Sequence, residues 1–173
     1  LYDTQIRADG ARTESYYRLA AKVLDPAAFE DLGRLTFDFD PVSTRLVLHA
    51  VTIWRDGEAL DRLVPGAFQV VRQEPELYDG MMLGDLTAFA HLPDIRVGDV
   101  IDTEWSRITD WPLWRGGLAG GYRFEYSEPL EDRRLRGLTP ADMPLQAAAR
   151  ALDLAPEVRR IGDEIERVWR RRD

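Results

Sequence analysis

The stretch DIRVGDVIDTEWSRI, residues 94–108, contains four acidic side chains, two of which, Asp102 and Glu104, stand at alternate positions. Apolar and polar residues change places from residue 100 to residue 108, a pattern that predicts a strand. Side chains two residues apart lie on one face of a strand, so Asp102 and Glu104 share a face with Ser106. Two carboxylates placed in this way could form an acid and base pair, and one hypothesis is therefore a hydrolase that uses Asp102 and Glu104. We favour the alternative, the solvated face of a half-exposed strand, because the sequence indicates no partner for either carboxylate.

Cysteine and histidine are the next residue types that could carry chemistry. The chain contains no cysteine and two histidines, His49 and His91. The absence of cysteine excludes thiolate nucleophiles, disulfides and cysteine-based zinc sites within this sequence. Neither histidine has a ligand spacing such as H-x-x-x-H, so we expect no metal site and no cofactor. Both lie in apolar strand patterns, which are more typical of structural histidines than of a catalytic base.

Two tryptophans stand in a glycine-rich stretch, DWPLWRGGLAGGYRF, where Trp111 and Trp114 lie beside Arg115. Exposed loops of this composition often recognise ligands or partners. A free-standing peptide- or carbohydrate-binding module that uses Trp111 and Trp114 is therefore a second hypothesis. Packing of the two indoles beneath the loop is an equally natural interpretation. The glycines do not match the spacing of a phosphate-binding loop.

The charge of the chain argues against nucleic acid as a partner. The net charge is −8, and neutralising phosphates requires clustered cations. From Arg133 onward ten arginines stand against seven acids, so this tail carries +3 and the remainder carries −11. The uneven charge predicts two pieces. No stretch approaches the roughly 18 apolar residues that a membrane helix needs.

Short alternating segments dominate the chain before residue 137. The sequence RLVLHAVTIWRDGEAL predicts a long strand from Leu46 to Trp54, a tight turn at Asp56-Gly57 and a return strand from Glu58. A further turn is expected at Gly98-Asp99. Many short strands with turn signals between them predict an all-β, twisted antiparallel β-sandwich. The other predicted strands are residues 16–23, 35–39, 68–72, 86–92, 100–108 and 122–126.

The pattern changes from Leu138 onward. Val158, Ile161, Ile165 and Trp169 recur at three- and four-residue intervals, which predicts one apolar face of a helix over residues 156–172. We expect Trp169 to be mostly buried there. A second, short helix is predicted at about Met143 to Leu152. These patterns divide the chain into a β-sandwich domain, residues 1–137, and a helical extension or linker, residues 138–173.

The order of several motifs resembles a family of unknown function that stands N-terminal to bacterial transglutaminase-like domains. The motifs are Y-x-x-Q-I-R-A-D-G-A-R-T, YYRLAAKVL, LGRLTFDFDP, RLVLHAVTIWRDGEALDRL and DIRVGDVIDTEWSRITDWPLWRGGLAG. The resemblance covers about Tyr2 to Leu135. It implies a sandwich similar to the saddle-like N-terminal domain of zinc aminopeptidases, with no catalytic residue assigned. The family continues with more strands after LEDRRLR, whereas a helix is predicted here, so we expect a shortened or incomplete sheet near Arg136–Leu138.

The resemblance also implies a function and a setting. We expect a non-catalytic accessory module that positions or shields a transglutaminase-like domain of the same polypeptide, or holds a polypeptide substrate near it. Its expected location is the periplasm or cell envelope. Contacts with a partner or ligand are expected at Trp111, Trp114, Arg115, Asp102 and Glu104.

Overall fold

The chain is mostly β in a computed structural model that describes residues 1–9, 11–72, 84–110, 120–126, 129–147 and 154–172. An eight-stranded mixed sheet has the order β10-β11-β9-β1-β2-β8-β4-β5, and a three-stranded sheet has the order β3-β7-β6. One short helix, α1, lies between β2 and β3. The elements are β1 (Tyr2–Ala8), β2 (Arg12–Lys22), α1 (Phe29–Gly33), β3 (Arg34–Phe39), β4 (Thr44–Arg55), β5 (Glu58–Asp61), β6 (Gln69–Arg72), β7 (Leu86–His91), β8 (Val100–Asp110), β9 (Asp132–Pro140), β10 (Glu157–Ile161) and β11 (Glu164–Arg172).

The chain forms two compact units. The terminal unit comprises residues 1–19 and 106–173, and the central unit comprises residues 20–105. Strands β2 and β8 run from one unit into the other, since both unit boundaries fall within them. No helix in the described ranges is long and apolar enough to cross a membrane.

The central unit confirms the strand predictions made from alternating residues. Strands β3 to β7 overlap the predicted segments, and β4 turns into β5 at Asp56 and Gly57. Both turn residues have positive φ, 52° and 85°, as a two-residue hairpin turn requires. The apolar core of this unit is built on Leu35, Phe37 and Val51, with Ala88 from β7. Trp105 packs edge-on against Phe37, with the ring centroids 5.3 Å apart.

The terminal unit has a sheet that the sequence did not predict. Strand β1 pairs antiparallel with β2 and parallel with β9. It is therefore bonded on one side to the next strand along the chain and on the other side to a strand far along the chain. Strand β9 then pairs antiparallel with β11, which pairs antiparallel with β10. Strand β9 crosses the expected domain boundary between Gly137 and Leu138. The expected shortening of the sheet is therefore wrong, because β9 contains most of the LEDRRLR motif and two further strands, β10 and β11, follow it.

The predicted C-terminal helix is wrong, because residues 157–172 form the hairpin β10–β11. Gly162 lies between the two strands with φ of 60°, a value that a residue in a right-handed helix does not adopt. Apolar residues at helical spacing thus belong to two strands that reverse direction between Ile161 and Ile165. The expectation that Trp169 is mostly buried is confirmed, although the residue lies on a strand and not on a helix. A Cβ atom added at Gly137 would lie 3.9 Å from Trp169 Cζ3, which places the indole against β9.

Two other secondary-structure predictions fail in the described residues. Residues 122–126, predicted as a strand, have irregular backbone. The second predicted helix is absent over residues 143–147, and the rest of it lies outside the described residues.

Candidate functional site

Arg133 is the centre of the site that best fits recognition of a ligand or partner. It lies on β9 in the terminal unit and is 2% exposed. Its Nε donates to the carbonyl oxygen of Arg123 at 3.1 Å, and its Nη1 donates to the carbonyl oxygens of Tyr2 at 3.1 Å and Arg134 at 2.5 Å. Its Cζ is 4.3 Å from the centroid of the Tyr2 ring and 5.2 Å from that of Phe124. The buried cation is thus satisfied by carbonyl dipoles and ring faces.

Tyrosines surround this arginine. Tyr2 and Tyr126 pack edge-to-face with their ring centroids 6.0 Å apart. Tyr17, opposite Thr4 in the pairing of β1 with β2, influences the ionisation of both Tyr2 and Tyr122. We call this set the tyrosine cluster; its members are Tyr2, Tyr17, Tyr122, Phe124, Tyr126 and Arg133.

The hydroxyl groups of Tyr2 and Tyr122 are poor bases and nucleophiles. Burial, and next the neighbouring Tyr17, raises the pKa of Tyr122 to about 12. Burial, and next Tyr126, raises the pKa of Tyr2. Both hydroxyls therefore stay protonated at neutral pH and act as hydrogen-bond donors and acceptors.

Part of the tyrosine cluster reaches the surface. Tyr122 is 39% exposed and Tyr126 is 41% exposed, and Leu19, directly opposite Tyr2 on β2, is exposed to a similar degree. Tyrosines that present an apolar ring and a polar tip at a surface are typical of recognition sites. The arrangement can hold a partner by stacking and hydrogen bonding, and it contains no activated nucleophile.

The other face of the same sheet carries a network of ion pairs. Glu166 of β11 is 1% exposed and accepts from Arg136 Nε at 2.6 Å and from Arg159 Nε. These two guanidinium groups, Arg159 first, lower the pKa of Glu166. Arg134 of β9 pairs with Asp3 of β1 at 3.3 Å. The network connects four strands and has a structural role in holding the β10–β11 hairpin to the sheet.

Contrary to the prediction, the face of β8 that carries Asp102 is not open to solvent at that residue. Asp102 is 5% exposed and accepts from Trp54 Nε1 at 3.3 Å, and Ser106 is also buried. Glu104 is half-buried. The prediction is wrong for Asp102 because its carboxylate lies against the indole of Trp54, on the neighbouring strand β4.

Asp99, at the turn that precedes β8, is held by an arginine that the sequence analysis did not select. Arg55 Nε and Nη2 donate to the two carboxylate oxygens of Asp99 at 2.9 Å and 2.8 Å. The Arg55 guanidinium holds the pKa of Asp99 below its usual range. Gly98, with φ of 96°, lies in the turn, and Gly98 N donates to the carbonyl oxygen of Val23 at 2.8 Å. This turn is confirmed, and its contacts give it a structural role.

The remaining predicted site residues are three residues of the glycine-rich stretch and the two histidines. Trp111, Trp114 and Arg115 lie outside the described residues. His49 and His91 are both exposed, and His91 packs edge-on against Phe89. Within the described ranges no group of three or more His, Cys, Asp or Glu side chains is placed to hold a metal ion.

Sequence reasoning missed the tyrosine cluster because its members are far apart in the chain. The Arg133 bond to Tyr2 joins residues 131 positions apart. The available signal was the recurrence of aromatic residues at Tyr2, in the YY pair at Tyr16 and Tyr17, and in YRFEY from Tyr122. Only the parallel pairing of β1 with β9 shows that these segments meet.

Comparisons with known proteins agree with this fold. A family model, a domain of unknown function with a solved structure (DUF3857), matches residues 9–173. No curated protein matches the chain. A crystal structure of a putative protease from Parabacteroides distasonis matches with a TM-score of 0.77 at 15% sequence identity. The match covers 99% of this chain and 34% of that one, so the chain spans about a third of the length of its structural neighbour.

Proposed function

This chain belongs to the DUF3857 family, and from that membership we propose that it is a non-catalytic accessory module of a larger, envelope-located protein with a transglutaminase-like domain. One observation carries the proposal: 99% of this chain matches 34% of a chain described as a putative protease. A fold that occupies one third of a larger chain is well suited to positioning the parts that lie beyond it. The likeness concerns the fold, and the activity of the whole protein belongs to the proposal.

The tyrosine cluster supports a role in recognition. Its exposed rings, Tyr122 and Tyr126, offer stacking surface, and the Tyr122 hydroxyl, whose pKa is raised, remains a neutral donor. Extended polypeptides offer carbonyl acceptors and apolar side chains that suit such a surface. We assign to this cluster the holding of a polypeptide substrate near the transglutaminase-like domain.

The rival hydrolase hypothesis has weaker support from the geometry. A general base must reach a water molecule or substrate proton within hydrogen-bond distance. Asp102 is buried and already accepts a hydrogen bond from Trp54. This environment favours a structural role for Asp102.

Kinetics of the full-length protein test the accessory role. In a protein that includes the downstream domain, Y122S/Y126S should raise KM for a polypeptide substrate several-fold and leave kcat unchanged, because only substrate binding is weakened. The matched control is V42S, at a position that is 94% exposed in the central unit. Equal loss of kcat in the two variants, or an unchanged KM in Y122S/Y126S, would contradict substrate holding by the cluster.

Two further measurements test the module itself. The isolated chain should show no turnover of peptide or glycan substrates, and D102N/E104Q should change nothing in that assay. A turnover that D102N/E104Q abolishes in a folded protein supports the hydrolase instead. The reading frame beyond Asp173 should encode a cysteine, then a histidine, then an aspartate at transglutaminase-like spacing, and a stop codon there would defeat the module proposal.

A further inference from the structure

Strand β10 is an edge strand of the eight-stranded sheet. One side of the strand bonds to β11, and no described strand lies on the other side. All five of its residues, Glu157 to Ile161, are exposed, and Val158 is 59% exposed. Proline and bulges commonly blunt a sheet edge, and β10 has neither; its charged residues, Glu157, Arg159 and Arg160, carry both signs and can therefore complement a matching strand. Its free side therefore offers unpaired backbone groups to another strand.

The hairpin turn determines which residues of β10 offer unpaired backbone groups at the free edge. Gly162 and Asp163 form a two-residue loop, with Gly162 at the positive φ of a type II′ turn. In such a hairpin the flanking residues, Ile161 and Glu164, form a hydrogen-bonded pair. Bonded and non-bonded pairs alternate along an antiparallel ladder, so the backbone groups of Val158 point away from β11.

The opposite side of β11 agrees with this assignment. If Glu164 bonds to β10, its position opposite β9 must be non-bonded. Its partner there is Pro140, which has no N–H to donate. Val158 and Arg160 are consequently the two β10 residues whose N–H and C=O groups face the free edge.

A second copy of the chain fits this edge in one register. A twofold axis perpendicular to the sheet keeps every side chain on its own face, so the axis must lie midway between the two copies of a single residue, which is then said to be on the axis. With Val158 on the axis, the two Val158 residues form a hydrogen-bonded pair, and each Glu157 lies opposite Arg159 of the second copy. With Arg159 on the axis, two guanidinium groups would face each other, and the backbone of Arg159 is already bonded to β11.

Charge also favours the register centred on Val158. The side chain of Arg159 is 71% exposed and contacts its cross-strand neighbour Glu166 on β11. Glu157 of the second copy would approach the same guanidinium from the other side. Arg159 would then lie between two carboxylates, Glu166 of its own chain and Glu157 of the second copy. The strand at the opposite end, β5, carries Glu58 and Asp61 and no cation, so self-pairing there would oppose like charges.

We propose that two copies of this chain associate through antiparallel pairing of their β10 strands, centred on Val158. The contact is short, with five residues from each copy. It therefore gives a weak dimer that depends on protein concentration.

Cysteine substitution tests the register, because the natural chain contains no cysteine. Residues in a hydrogen-bonded antiparallel pair have Cα atoms about 5.5 Å apart, which a disulfide can bridge. V158C should therefore become a disulfide-linked dimer under mild oxidation. The matched control is R160C, an equally exposed position on the same strand face that lies opposite Pro156 of the second copy and should remain monomeric.

Sedimentation measures the association itself. V158P removes an N–H that points to solvent in the single chain, so the β10–β11 ladder stays intact while dimerisation loses its central bonds. Its dimer Kd should rise about tenfold or more, whereas V158A, which keeps the N–H, should stay close to the natural chain. E157R should weaken the dimer by placing an arginine opposite Arg159.

Three outcomes would overturn the proposal. The first is a natural chain that sediments as a monomer at every soluble concentration. The second is equal cross-linking of V158C and R160C, which indicates random collision. The third is a dimer that V158P leaves unchanged, which places the contact on another face. If V158P fails to fold, the comparison of V158C with R160C still decides the register.

Discussion

The guanidinium group of Arg133 lies beneath the ring of Tyr2, 4.3 Å from its centroid, and also donates to the carbonyl oxygen of Tyr2. One residue of β1 thus meets the charge of β9 through its side chain and through its backbone. The two residues are direct partners in the parallel pairing of β1 with β9. The contact therefore joins residues 131 positions apart in the chain and supports the surface on which Tyr122 and Tyr126 are presented.

Removing the charge of Arg133 should destabilise the protein. In R133M the carbonyl oxygens of Tyr2 and Arg123 lose their donors, and unsatisfied buried polar groups are costly. We expect the free energy of unfolding to fall by about 2–4 kcal/mol in urea titrations followed by circular dichroism. The matched control is R45M, at an exposed arginine of β4, and should change little. Equal effects of the two substitutions would contradict a structural role for Arg133.

The raised pKa of Tyr122 should make stability depend on alkaline pH. Its pKa is about 12 in the folded chain, against 10.0 for an ordinary tyrosine. The stabilisation is complete below pH 10 and is lost as the pH rises toward 12, because only the unfolded chain then ionises freely. Unfolding titrations across this range should show a smaller loss of stability for Y122F than for the natural chain. Identical pH profiles would mean that the phenol of Tyr122 ionises as it does in water.

Glu166 should give stability that disappears in acid. Arg159 and Arg136 lower its pKa, so its contribution is present above the unfolded value of about 4.5 and is lost as the pH falls through the lower folded value. At neutral pH we expect E166Q to lower the free energy of unfolding by about 1–3 kcal/mol. The difference between E166Q and the natural chain should close at acid pH. E14Q, at an exposed glutamate of β2, is the control and should match the natural chain throughout.

Local patterns predicted the central unit well. Strand β4, the Asp56-Gly57 turn and β5 follow from period-two alternation and from turn residues that accept positive φ. Both signals lie within a few residues of the structure they predict. The prediction failed for the face of β8, because the burial of Asp102 involves the side chain of Trp54, which is 48 positions away in the chain, and such a contact is not a local property.

The terminal unit could not be predicted in the same way. Its parallel pairing of β1 with β9 depends on segments that are far apart in the sequence, and no spacing within either segment encodes the meeting. The buried position of Arg133 follows from that pairing, as does the tyrosine cluster. The β10–β11 hairpin was missed for a different reason. Its apolar residues coincide with helical spacing, and the only local sign of a reversal is the Gly162-Asp163 dipeptide in the middle.

Substitution of Gly162 by alanine distinguishes the hairpin from the predicted helix, because the two structures predict changes of opposite sign in the free energy of unfolding. In a helix, replacing an internal glycine by alanine stabilises by about 1 kcal/mol. In the hairpin Gly162 has φ of 60°, where an alanine Cβ is strained, although no atom lies within 4 Å of that Cβ. We therefore expect G162A to lower the free energy of unfolding by about 1–2 kcal/mol. The matched control is G57A in the β4–β5 turn, where φ is 85°, and it should show a loss of similar size. A gain of stability in G162A alone would mean that residues 157–172 form a helix in solution.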